Sequence, residues 1–88
     1  MTLEDGRRKI DTINREILEL LIARNEIVLR IFENKRKNGQ ILLDAERVKE
    51  MKNQIFETWK QKRPMAKPGE WDMIDAVFST IFEQSLKL

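Results

Sequence analysis

IDTINREILELLIARNEIVLRI, residues 10–31, is the stretch that decides the fold of this chain. Its apolar residues recur at spacings of three and four, which places them on one face of an α-helix. They are Ile10, Ile13, Ile17, Leu20, Leu21, Ile27, Val28 and Ile31. Between Leu3 and Lys37 there is no proline, and Asn38-Gly39 then supplies a helix end. The sequence therefore predicts one helix of about 33 residues, about 50 Å long.

Two shorter helices are predicted to follow the long one. Asp44 is placed to cap the second helix, which ends near Lys62. The segment from Arg63 to Gly69 holds both prolines and is typical of a loop, so the third helix is predicted to start near Glu70 or Trp71. Their apolar faces are Val48, Met51, Ile55, Phe56 and Trp59 in the second helix and Ile74, Val77, Phe78, Ile81, Phe82 and Leu86 in the third. We expect an all-α fold of three helices in a single domain, residues 1–88.

The length of the first helix bears on the oligomeric state. A compact domain of this size has a radius of gyration of only ~12 Å, so a helix of about 50 Å overhangs it. Because the apolar stripe runs along the whole helix, the overhang needs a partner, and a homodimer with paired long helices is the simplest solution. The alternative is a helix kinked near Arg24-Asn25 in a monomeric bundle.

Composition excludes several classes of chemistry. Histidine and cysteine are absent, which removes the commonest general base, the commonest metal ligand and all thiolate chemistry. No carboxylate spacing indicates a metal site, and we expect no cofactor. The net charge is only +2 and basic residues are interleaved with acidic ones, so no nucleic-acid partner is expected. Without a charged leader or an apolar run of about 18 residues, we expect a cytoplasmic protein with no membrane association.

Cations interrupt or flank the apolar face of the long helix. Arg24 lies on that face, where a guanidinium is unfavourable unless it meets an anion or returns to solvent. Lys35 lies within ~20° of the same face and ~16 Å along the axis. Arg7 is ~26 Å from Arg24 and on another face, so the two arginines cannot reach one small ligand within a single chain. In an antiparallel dimer, Arg7 of one chain could approach Arg24 and Lys35 of the other.

The two shorter helices add further candidate groups. Arg47 lies in the first turn of the second helix, three residues after Asp44, and Gln84 and Ser85 lie near the end of the third. Several cations with a few neutral hydrogen-bonding groups and no nucleophile would suit a small dianion, which arginine binds bidentately. The alternative is that these charged side chains are simply solvated and that Asp44 only caps its helix.

Five segments, in order and at matching spacing, resemble the all-helical (AroQ-type, type II) chorismate mutases. They are RRKIDTINREIL at 7–18 for the family's R-x-x-I-D-x-I-D-x-x-I-L, LLIAR at 20–24 for L-L-x-x-R, Lys35 for its lysine eleven residues on, DAER at 44–47 for D-P-x-R, and FSTIFEQS at 78–85 for F-x-x-I-I-E-x-S. The resemblance implies a dimer of three-helix chains with two equivalent sites, each taking one arginine from the partner. It also implies rearrangement of chorismate to prephenate by a pericyclic step, without proton transfer or a covalent intermediate.

The resemblance also implies a role for each candidate residue. Arg24 and Arg7, the latter from the partner chain, would clamp the two substrate carboxylates, with help from Arg47. Lys35 would hydrogen-bond the ether oxygen and a carboxylate. Asp44 would contact the substrate hydroxyl, and Ser85 would contact a carboxylate.

The sequence departs from the family pattern at two places. The position after Arg47 is often a glutamate that binds the substrate hydroxyl, but here it is Val48, as in the E-R-V of the isochorismate pyruvate lyase branch. Asp44 fits the mutase better than the lyase. The second departure concerns a glutamine that the family usually has four residues after Ser85. Its place here would be position 89, whereas the sequence ends at Leu88.

Gln84 could replace that glutamine only if the third helix shifted by a turn, and this register would misplace Phe78 and Phe82. Loss of one such donor lowers a rate by on the order of 10²–10³. The alternatives to a chorismate mutase are therefore an isochorismate pyruvate lyase or aminodeoxychorismate mutase on the same scaffold, and a non-catalytic helical dimer with a binding or regulatory role.

Overall fold

Three α-helices make up the fold. The computed structural model describes residues 1–37 and 45–88, apart from the side chains of residues 35–37. Helix α1 spans Leu3–Lys37, α2 spans Ala45–Lys62 and α3 spans Pro68–Ser85. The described residues contain no β-strand, so the all-α prediction is confirmed. The helix end predicted at Asn38-Gly39 and the cap predicted at Asp44 lie outside the described residues.

Helix α1 begins with a reciprocal cap. The backbone N–H of Asp5 donates to Thr2 Oγ1 at 3.1 Å, and the backbone N–H of Thr2 donates to Asp5 Oδ2 at 3.4 Å. This arrangement satisfies two backbone donors that a helix N-terminus otherwise leaves without a partner. Glu4 and Asp5 in the first turn also place negative charge at the positive end of the helix dipole.

Helix α1 continues without a break through Arg24 and Asn25. Its 35 residues correspond to about 52 Å at ~1.5 Å per residue, close to the 54 Å longest dimension of the molecule. The structure therefore shows no break at the position where the alternative prediction placed a kink.

Helix α3 starts earlier than the sequence predicted. Pro68 and Gly69, assigned to the loop, form its first turn. Proline is favourable at the first helical position because its fixed φ suits a helix and its missing N–H would have had no partner there. The loop between α2 and α3 is accordingly short, and the prediction of a start at Glu70 or Trp71 was late by two or three residues.

An aromatic and ionic cluster joins the end of α2 to the start of α3. The ring centroids of Phe56 and Trp71 lie 4.9 Å apart, and those of Trp59 and Trp71 lie 5.5 Å apart. Glu70 accepts a hydrogen bond from Trp59 Nε1 at 2.7 Å, and Arg63 binds both of its carboxylate oxygens, at 3.0 and 3.1 Å. Because these groups span the connection between the helices, they set the angle at which α3 leaves α2.

The core of the single chain is small. Among the described residues, the apolar side chains that are buried are Phe32 and Phe82, and the radius of gyration is 16.2 Å against the ~12 Å of a compact chain of this length. Phe32, which the sequence pattern left out, is buried on α1 with half-buried Leu21, Arg24, Asn25 and Val28 along the same side. No helix in the described ranges combines the length and apolar character needed to cross a bilayer.

Most of the predicted apolar face of α1 is exposed in the single chain. Six of its eight members, all but Leu21 and Val28, are exposed, and together with Leu3 they are between 44% and 71% exposed. These seven residues fall on a heptad pattern, with Gly6 and Arg24 at the two intervening positions. These residues, called here the α1 seam, are Leu3, Ile10, Ile13, Ile17, Leu20, Ile27 and Ile31. In the single chain α2 and α3 leave the seam exposed, and α3 meets α1 at Arg24.

Glu70→Gln should destabilise the α2–α3 connection most at neutral pH. The hydrogen bonds from Arg63 and then from Trp59 lower the pKa of Glu70 below its usual value of 4.5. A lowered pKa means that the carboxylate stabilises the fold above pH 4.5 and that this contribution is lost as the pH falls through the pKa of the folded state. We expect the variant to unfold at lower urea concentration at pH 7, and the difference from the parent chain to shrink on acidification.

Glu57→Gln is the matched control, since Glu57 is exposed on α2 and no hydrogen bond or ion pair involves it among the described residues. The measurement is urea unfolding followed by circular dichroism at fixed protein concentration. Equal midpoints for the two variants at pH 7 would contradict the role given to Glu70.

Candidate functional site

The site begins with Arg24, a half-buried arginine where α1 meets α3. Its Nη1 donates a hydrogen bond to Ser85 Oγ at 2.6 Å, and Ser85 Oγ donates in turn to the backbone carbonyl of Ile81 at 2.6 Å. Ser85 is itself buried, at 7% exposure. The serine hydroxyl therefore uses its proton within α3 and offers its lone pair to the guanidinium, which orients the contact.

The ring of Phe82 provides the second contact to Arg24. The guanidinium carbon lies 5.5 Å from the ring centroid, within the range of a cation–π interaction. Phe82 and Ser85 are three residues apart on α3, a spacing that puts both side chains on the same helix face. One face of α3 therefore holds Arg24 through a hydrogen bond and through an aromatic contact.

The electrostatics of Arg24 leave it suited to bind an anion. Burial lowers the pKa of Arg24 below its usual value, yet a guanidinium stays protonated at neutral pH. Among the described residues, no carboxylate forms an ion pair with it. A desolvated cation with several N–H donors and no counter-ion is a favourable partner for a carboxylate ligand.

Two surface grooves flank this contact. The first lies between α1 and α3, and its lining includes Asn25, Thr80, Gln84 and Ser85. The second lies between α2 and α3, and its lining includes Val48 and Phe82. Arg24 is thus held by two residues that border different grooves, which places the guanidinium between them.

Residues 6–88 match the family described as chorismate mutase type II. The chain belongs to this family. No curated protein and no solved structure gives a significant match. The match covers all three helices and supports chorismate mutase activity at the level of the family.

Within this chorismate mutase family chain, the structure brings together two of the predicted site residues, Arg24 and Ser85. Gln84, also predicted, is exposed and lines the α1–α3 groove beside Ser85. Phe82 is buried, so α3 holds the register in which Phe82 and Ser85, rather than Gln84, face Arg24.

The other predicted residues lie farther away or outside the described part of the chain. Arg47 is exposed in the first turn of α2 and forms an ion pair with Glu50 at 3.1 Å. Arg7 is exposed near the start of α1, and because the helix is continuous it stays ~26 Å from Arg24 along the axis. The side chain of Lys35, and the whole of Asp44, lie outside the described residues.

Sequence reasoning assigned Phe82 to the core alone and missed its contact with Arg24. The signal was its position three residues before Ser85, the spacing that places both on one helix face. No group of three or more Asp and Glu side chains that could hold a metal ion occurs in the described ranges.

Ser85→Ala should weaken the α1–α3 contact. Removing the hydroxyl leaves Arg24 without its acceptor, and we expect a loss of about 1 kcal/mol in the free energy of unfolding, since a half-buried guanidinium recovers part of its hydration. The measurement is urea unfolding at fixed protein concentration, because association couples to stability.

Ser79→Ala serves as the control on the same helix. Ser79 is half-buried and no side-chain hydrogen bond involves it among the described residues. Both variants exchange serine for alanine on α3, and Ser85→Ala additionally loses the hydroxyl contacts with Arg24 and with the Ile81 carbonyl. Ser85→Ala as stable as Ser79→Ala would show that the hydrogen bond contributes nothing.

Proposed function

We propose that this chain is a chorismate mutase that converts chorismate to prephenate in aromatic amino-acid biosynthesis, acting as a cytoplasmic homodimer of single-domain subunits. Family membership supports the reaction. The observation that carries the proposal is Arg24, a half-buried guanidinium held by Ser85 and Phe82 with no carboxylate partner among the described residues. Chorismate carries two carboxylates, which match arginine in charge and geometry.

The rearrangement is pericyclic, so the residues act by binding rather than by accepting protons. Arg24, and Arg7 of the partner subunit, bind the two carboxylates and hold the compact substrate conformer in which the reacting carbons meet. Lys35 donates to the ether oxygen, on which negative charge develops as the C–O bond breaks. The remaining groups hold the substrate at its edges: Arg47 and Ser85 at a carboxylate, Asp44 at the hydroxyl, and Gln84 as a neutral hydrogen-bonding group beside Ser85.

The exposed surface of the single chain supports the homodimer. A compact monomer of 10.5 kDa exposes about 5,400 Å². This chain exposes 7482 Å², about 2,000 Å² more than that expectation. An excess of this size per chain falls in the range that obligate homodimers bury, and the α1 seam supplies the apolar surface for it.

Antiparallel pairing of the seams would also complete the site. In such a pair, Arg7 of the partner subunit lies opposite Arg24 when the two-fold axis passes near Glu16, and opposite Lys35 when it passes near Leu21. Two seam residues lie between these limits, Ile17 and Leu20. An axis there brings the partner's Arg7 between the two cations, where a dianion of chorismate's size would contact all three.

Val48 favours one competing activity. Without a carboxylate after Arg47, the substrate hydroxyl loses a usual partner, and isochorismate, which carries its hydroxyl elsewhere on the ring, becomes a reasonable substrate. Isochorismate pyruvate lyase activity would release pyruvate and salicylate, so product analysis separates it from the mutase. An aminodeoxychorismate mutase would act on the amino analogue and is separated by the same analysis.

Purified protein should consume chorismate and yield prephenate. The reaction is measured by the loss of chorismate absorbance, and the products are identified by chromatography. Arg24→Ala and Lys35→Ala should each lower kcat/KM by at least about a hundredfold, because each removes a charged contact to the dianion. Helicity by circular dichroism should be unchanged. Turnover retained in either variant would contradict the site, and no turnover of chorismate, isochorismate or the amino analogue by a folded dimer would favour a binding or regulatory role.

Mixing Arg7→Ala with Arg24→Ala should restore activity to two inactive proteins. A mixed dimer holds one site with both mutations and one intact site, so random exchange of subunits gives about a quarter of the parent activity. Arg24→Ala mixed with Lys35→Ala is the control, since both residues serve the same site from one chain and every site keeps one defect. Equal recovery in the two mixtures, or none in the first, would refute the contribution of Arg7 from the partner.

A further inference from the structure

Packing of the hydrophobic core does not by itself explain the surroundings of Phe82. It is 5% exposed, and the other buried apolar side chain among the described residues is Phe32, which is 4% exposed. Yet the ring of Phe82 has the guanidinium of Arg24 over it, with the central carbon 5.5 Å from the centroid. A charged group has therefore been placed against one of the most buried apolar side chains of the single chain.

The contact with Phe82 restrains Arg24 differently from the contact with Ser85. The serine hydroxyl binds one nitrogen, Nη1, which leaves the guanidinium free to rotate about that hydrogen bond. An aromatic face attracts the cation through its quadrupole and favours contact with the flat surface of the group. Together the two contacts restrain the guanidinium at two points, one nitrogen at Ser85 and the central carbon over the ring of Phe82.

This restraint leaves N–H donors of Arg24 available to a ligand. A guanidinium has five N–H donors, and the hydrogen bond that Arg24 donates among the described residues uses one nitrogen, so donors remain for a carboxylate. An arginine already held in one orientation loses less side-chain entropy when it binds its ligand. The family pattern quoted for residues 78–85 has isoleucine at position 82, and an aliphatic side chain offers no π face.

We propose that Phe82 is a positioning residue for Arg24: the ring of Phe82 holds the guanidinium in the position in which it receives a substrate carboxylate. The inference rests on the proposed function, in which Arg24 binds that carboxylate. It predicts an effect on binding more than on the bond-breaking step, because Arg24 contacts the carboxylate in both the bound substrate and the transition state.

The kinetic test compares three variants. Phe82→Leu keeps apolar bulk but removes the ring, and we expect KM for chorismate to rise about tenfold with a smaller change in kcat. Phe82→Tyr keeps the ring, and its hydroxyl meets a groove lined by Lys52, Ser79 and Glu83, so we expect KM to return to within about threefold of the parent value. Phe32→Leu is the matched control, with the same loss of a buried ring away from the guanidinium, and should leave KM unchanged.

A spectroscopic test reads the contact without relying on turnover. In protein labelled with ¹⁵N and ¹³C at arginine, side-chain signals of Arg24 are identified by their loss in Arg24→Lys. Protons over an aromatic face are shifted upfield, so these signals should move downfield in Phe82→Leu and stay in place in Phe32→Leu and Phe82→Tyr. Signals of Arg24 that do not respond to Phe82→Leu would overturn the positioning role, whatever the activity.

The two proposals fail in different ways. A parent protein that turns over chorismate, with Phe82→Leu and Phe32→Leu giving the same KM, would refute the role of Phe82 and leave the mutase function standing. A folded parent protein that neither binds nor converts chorismate would refute the proposed function, and with it the substrate-orienting role of Phe82. Upfield-shifted Arg24 signals together with the expected KM pattern would support both.

Discussion

The length of α1 is the constraint on which the rest of the structure depends. A helix of 35 residues is about 52 Å long, and two helices of 18 residues, each about 27 Å, can cover only part of it. The chain therefore leaves the α1 seam exposed and keeps a core of few buried side chains. A surface of this kind is stable in water when a second apolar surface covers it, which is why association and function are linked in the proposed dimer.

Arg24 shows how a position that is unfavourable for stability can serve binding. It occupies a heptad position in the seam, where an apolar residue would pack better, and burial lowers its pKa. The chain offsets part of this cost with a buried serine and a phenylalanine ring, and leaves the carboxylate-binding capacity of the guanidinium unused among the described residues. A cation prepared in this way needs little rearrangement when a dianion arrives, which is the condition for electrostatic stabilisation of a reacting substrate.

The α2–α3 connection has a supporting role at a distance from Arg24. Glu70 joins Trp59 and Arg63 at the end of α2 to the first turn of α3, and the aromatic cluster packs beside it. Because α3 is 18 residues long, a small change of angle at this end would move Phe82 and Ser85 by several ångströms at the other. The ionic cluster and the Arg24 contact thus fix the two ends of the same helix.

The sequence by itself determined the three helices, the unusual length of α1 and the identity of the family, because these follow from local periodicity, from helix-end signals and from motif spacing. It also singled out Arg24 and Ser85, whose separation of 61 residues conceals a contact of 2.6 Å. Only the tertiary structure decided which side of α1 meets α3, that Phe32 rather than the seam is buried, and that Phe82 lies against Arg24. These depend on the packing angle between helices, which side-chain periodicity within each helix does not specify.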